Sequence, residues 1–114
     1  MINKDKLRQR FLRDPLPVRL GGLSATLARI SSSAREAVNP GIVLDLLDEA
    51  RHLIEWTSAD TEPEIATELV QTQRLLTLRQ KAWVNASADR HQRTLLSAQA
   101  KDWSDKTLQY SGLV

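Results

Sequence analysis

Val43, Leu46, Leu47, Ala50, Leu53 and Ile54 recur at steps of three and four residues. That spacing lines one face of an α-helix and cannot line one face of a strand, whose side chains alternate at every second residue. Asn39-Pro40 stands in front of the stretch. An Asn there accepts from an unpaired N–H, and Pro at the first helical position gives up a donor that had no partner in any case. A helix over 40–57 follows, and the same argument extends over nearly the whole chain.

Downstream, Thr61-Glu62-Pro63-Glu64 has the form of a capping box, with Thr61 and Glu64 three apart and Pro63 tolerated in the first turn. Behind it come Ile65, Leu69, Leu76 and Trp83, with Thr72 and Arg79 on the same stripe and Leu75 and Leu78 widening it. Asn85 and Ser87 offer alternative caps for a last helix, whose inner face is expected to hold Ala88, Leu95, Leu96, Gln99, Trp103 and Tyr110, with Gly112 as its stop. Because 84–88 contains neither Gly nor Pro, one bent helix over 61–110 stands as the alternative.

Upstream, Asp14-Pro15 starts a helix with Leu20, Leu23, Leu27, Ile30, Ala34 and Val38 on one face. Gly21-Gly22 weakens its beginning by around 1 kcal/mol per glycine relative to alanine, so the regular helix is expected to start after them. Ser24, Ser31 and Ala34 flank or join this stripe, and residues so small let a neighbouring helix come close. Over 3–12, Leu7 and Phe11 lie one turn apart on a short candidate helix that needs something to pack on.

The pattern therefore predicts an all-α fold: an up-and-down antiparallel bundle of about four helices with a short N-terminal helical arm. Short connections at 58–61 and 84–87 favour antiparallel neighbours. At 114 residues one core is expected, giving a single domain over 1–114, with 1–14 a basic arm and 15–114 the bundle. Cysteine is absent, which removes disulfides, thiolate nucleophiles and Cys-based metal sites. Charges fill the N-terminus where a secretory signal places an apolar run, and no stretch of about eighteen apolar residues occurs. A cytoplasmic protein without a transmembrane segment is the expectation.

Net charge is only +2, but it is unevenly spread. Over 1–35, eight Lys/Arg face Asp5 and Asp14; over 36–68, nine Asp/Glu face Arg51 alone; over 69–114, seven basic groups face three acids. The simplest arrangement packs the acidic middle between its basic neighbours, which makes the basic pI a weak reason to invoke nucleic acid.

Few constellations carry chemistry. Glu49 and His52 form a Glu-x-x-His step, half of the pattern used by carboxylate-bridged di-iron bundles; the second half is missing, since Ala88 stands three residues before His91. No metal and no cofactor are expected. Asp45, Glu49, His52 and Trp56 project from the side of 40–57 opposite its apolar stripe and are the first candidate for a partner site, because Trp is enriched at the centres of interfaces. Trp56 turning inward to cover the core is the competing arrangement. Arg74, Arg79, Lys81, Arg90 and Arg93 form a basic group along the last helical hairpin that could hold phosphates. It lacks an aromatic platform and any helix-turn-helix spacing. Lys4, Lys6, Arg8, Arg10 and Arg13, with Leu7, Phe11 and Leu12, make an arm suited to an anionic surface or a partner's groove. A nucleophile elbow, a glycine-rich phosphate loop and an HExxH sequence are all lacking. The expectation is a non-enzymatic protein-protein interaction or assembly module, acting on another protein or on itself as a homodimer. The alternative is a nucleic-acid accessory protein using the basic hairpin.

Overall fold

The computed structural model describes residues 3–36 and 40–113, and among them five α-helices and one 3-10 turn follow in order with no strand. They are α1 (Lys4–Arg13), α2 (Leu16–Ala34), α3 (Pro40–Thr57), the 3-10 turn Ser58–Asp60, α4 (Pro63–Ala86) and α5 (Arg90–Ser111). The four longer helices form an up-and-down bundle, and α1 is the arm. Each apolar stripe supplies the core: Leu20, Leu23, Leu27 and Ile30 from α2, Val43, Leu47 and Ile54 from α3, Leu69, Leu76 and Trp83 from α4, and Leu96, Ala100 and Trp103 from α5. Val38 and Asn39, expected on the α2 stripe and at the α3 cap, lie outside the described residues.

Several boundaries differ from expectation, each for a local reason. α2 does not wait for the glycines but begins at Leu16, directly after Pro15. Burial explains it: Arg19 and Leu20 are already inside, and a Cβ on Gly21 would come within 3.0 Å of the Leu113 side chain. The expected capping box is absent. Pro63 takes the first helical position, which makes Glu62 the cap, while the Thr61 hydroxyl donates to the Ser58 carbonyl at 2.8 Å and closes the preceding turn. Between α4 and α5 the chain does break, and Asp89 rather than Asn85 or Ser87 caps α5, its carboxylate accepting from the His91 N–H at 2.8 Å.

Helix α5 is also rolled relative to its expected face. Ala88 and Leu95 are exposed, whereas Ser97, Ser104, Thr107 and Ser111 are buried. What turns it is α2, with which it forms the most extensive helix pair in the molecule. Ser24 donates to the Ser104 carbonyl and Ser104 to the Ser24 carbonyl, both at 2.8 Å, and one heptad along Ser31 donates to the Ser97 carbonyl at 2.8 Å. Small side chains every seventh residue bring the two backbones within reach of these bonds, so no buried hydroxyl here lacks a partner.

Around the bundle, α4 packs on α3, α3 on α2 and α2 on α5. The fourth edge, between α4 and α5, is the least packed of the four although these helices are joined by the short turn at 87–89. Arg79 holds the turn end together, reaching Gln99 at 3.0 Å and Gln92 at 3.4 Å. Farther from the turn the helices part and leave a hollow of about 190 Å3 between Leu69, Thr72, Leu75, Trp103 and Tyr110. No helix among the described residues is long and apolar enough to cross a membrane.

Candidate interaction surfaces

Residues of the acidic side of α3 have separate environments. Asp45 is exposed. Glu49 does not stand in water as its helical position suggests: its side chain is 15 % exposed, with Oε2 accepting from the Thr26 hydroxyl at 3.1 Å and forming an ion pair with Arg29 at 3.2 Å. Position on a polar stripe does not mean solvent when α2 lies along the edge of that stripe. His52 lies 2.8 Å from the Asp48 carbonyl through Nδ1, and since a carbonyl only accepts, Nδ1 carries the proton.

Trp56 is half-buried beside the core. Its ring centroid is 5.7 Å from that of His52 and 6.2 Å from that of Phe11. The arm is thus the element that the Trp56 side of α3 receives. α1 has no fully buried residue, yet Phe11 meets Trp56 and Lys4 pairs with Asp48 at 3.0 Å. Asp48 also pairs with Arg51 at 3.5 Å. Partial burial pushes the Asp48 carboxyl up, but the Lys4 hydrogen bond and the charges of His52 and Lys4 outweigh it and hold the group below the ordinary aspartate value. Between α1 and the end of α3 remains an open cleft of about 540 Å3, lined by Lys4, Arg8, His52, Glu55 and Trp56 among others. The structure therefore brings His52 and Trp56 into one cleft and leaves Asp45 and Glu49 outside it.

The charge blocks pair as the sequence suggests on one side only. Lys4, Arg19 and Arg29 of the first block reach Asp48, Asp60 and Glu49 of the acidic middle. The basic group of the last hairpin does not. Arg79 spends its guanidinium on the amides of Gln92 and Gln99, and Arg93 donates to the Ser87 carbonyl at 2.9 Å. Among the described residues Arg74, Lys81 and Arg90 have no carboxylate within ion-pair distance, and all three are exposed. Neither do the described residues gather three His, Cys, Asp or Glu in a group able to hold a metal ion.

A surface that sequence reasoning missed runs along the open α4–α5 edge. Leu75 is 40 % exposed, Leu78 61 % and Leu95 41 %. Arg79 reaches both Gln92 and Gln99, which sets Leu95, midway between them in sequence, at the level of Leu78. Leu75 and Leu78 were expected to widen the core stripe, and Leu95 to belong to it. The legible signal was the repeat Leu75, Leu78, Ala82, a second stripe one residue before Leu76, Arg79 and Trp83. Two stripes so placed are about 100° apart around the helix, so when one is centred on the core the other lies at its margin. Comparison with family models, curated proteins and solved structures finds no match to this chain.

Proposed function

We propose that this chain is a non-catalytic interaction or assembly module whose contact surface is the open edge between α4 and α5. The observation that carries the proposal is the run of exposed leucines, Leu75, Leu78 and Leu95, on the edge of the bundle where, among the described residues, the two flanking helices pack least closely. Single exposed leucines are ordinary, but a cluster beside a hollow marks a surface that gains by being covered. Rimming it are Arg74, Lys81 and Glu68, which fits the usual arrangement of an apolar centre within a polar border. Affinity purification of tagged protein from its own cells tests this: Leu78→Lys should lose the partners that the wild-type chain retains, with unchanged circular dichroism. Equal retention by the variant would overturn the assignment of this edge.

A second reading, as a nucleic-acid accessory protein, is favoured by the exposed Arg74, Lys81 and Arg90, which no carboxylate among the described residues neutralises. Phosphates would fill that role, and retention would fall steeply with salt. Loss of salt-sensitive RNA or DNA retention in the Lys81→Glu, Arg90→Glu double variant supports this reading, whereas a wild-type chain that retains neither nucleic acid at low salt ends it.

A further inference from the structure

Resting on the reading of the α4–α5 edge as a contact surface, we infer that its occupant is a second copy of this chain, with the two α4 helices antiparallel across a twofold axis beside Leu75. The outer side of α4 carries Glu64, Glu68, Gln71, Leu75, Leu78 and Ala82 at alternating steps of four and three, the spacing of a seam on which another helix packs. Along that seam charge is segregated. Acid occupies the first two turns and apolar residues the middle, while Lys81, seven residues after Arg74 and on the same flank of the seam, stands at the far end, with Arg90 just beyond the turn.

Direction follows from this segregation. A parallel copy lays acid on acid and base on base, which opposes association. An antiparallel copy with its axis at Leu75 sets Glu68 within one residue's rise of Lys81 on the other chain, and Glu64 beside the end of α4 and the turn that leads to Arg90, each contact made twice by symmetry. Leu78 then packs over the Gln71 to Leu75 stretch of the partner copy, where its exposed surface leaves water. Arg74 is the one like-charged neighbour such an axis creates; it is exposed on the flank of the seam, and its long side chain reaches outward to solvent. Length is adequate too. A 24-residue helix is about 36 Å long, and because Leu75 lies at its middle an antiparallel copy overlaps it along nearly the whole of that length.

Light scattering of the purified chain over a wide concentration range, with charge-exchanged variants, tests the inference. Wild type should be dimeric. Glu64→Lys with Glu68→Lys makes the seam wholly basic, and Lys81→Glu with Arg90→Glu makes its ends wholly acidic. Each double variant alone should dimerise about tenfold more weakly or worse, the scale expected of like charges forced together. Mixed in equal amounts, they should restore dimers containing one chain of each. Leu78→Lys should be monomeric, which gives an independent readout if a charge variant folds poorly. A monomeric wild type, or charge variants that self-associate as well as it does, would overturn the second-copy inference; purification of another partner through Leu78 would still sustain the broader reading, so the two failures are distinguishable.

Discussion

A buried serine at a helix crossing combines two properties that larger or apolar residues separate: it is small enough for two backbones to approach, and it carries a donor that the approach allows to be used. Ser24 and Ser104 donate into each other's carbonyls across the α2–α5 contact, with their own oxygens 3.0 Å apart. Ser104→Ala keeps the close approach and removes one donor, so a loss of about 1 kcal/mol is expected, read from the urea midpoint. Ser104→Leu forces extra volume into the same gap and should cost more, on the order of 1–3 kcal/mol. If leucine proved milder than alanine, close packing of α2 on α5 would not be what holds them. Glu49 makes a related point, because its hydrogen bond from Thr26 and its pairing with Arg29 turn a charge on a polar stripe into a link between helices.

Helix α4 is the element on which inside and outside are most finely divided. Leu76 is fully buried and Leu78, two residues on, is 61 % exposed. Truncating both to alanine separates core from surface: Leu76→Ala should destabilise by about 2–5 kcal/mol, whereas Leu78→Ala should stay within about 0.5 kcal/mol, both from equilibrium unfolding. A large loss at Leu78 in the monomer would mean that its side chain supports the fold, and the interaction proposal would lose its basis. α1 depends on its surroundings in a different way. With no fully buried residue it has too little apolar area to hold itself, and Asn3, Phe11 and Lys4 fix it through a cap, a ring contact and an ion pair.

For the molecule as a whole, the ion pairs between the first and second charge blocks tie the chain's N-terminal part to its centre, and the one at Asp48 makes stability depend on pH. Asp48 has a depressed folded-state value, so its contribution is complete above its ordinary value of about 4 and is lost as pH falls through the depressed one. Asp48→Asn should therefore lower the urea midpoint at neutral pH and flatten the part of the acid decline that Asp48 supplies, with variant and wild type converging in strong acid. A variant whose midpoint coincides with that of wild type at every pH would show that the contacts of Asp48 contribute nothing to stability. At this scale the uneven packing of the bundle also gains its meaning: among the described residues the other three helix pairs are in closer contact, and the α4–α5 edge presents leucines outward.

Sequence alone determined the class of fold and most of the core. Steps of three and four in Val43 to Ile54 or Leu20 to Ile30 are satisfied by one secondary structure, and Pro40, Pro63 and Gly112 stand where helices start and stop. Tertiary structure decided how far each helix is rolled. Leu75, Leu78 and Leu95 are as apolar as Leu76 and Leu96, but the seating of α5 on the serines of α2 leaves Leu95 outside and the packing of α4 on α3 leaves Leu75 and Leu78 outside. The same holds for Glu49 and Trp56, placed by α2 and α1 through contacts between residues distant in sequence. Periodicity fixes the angle between residues of one helix, whereas which angle faces inward is set by competition among all neighbouring helices for the same interior.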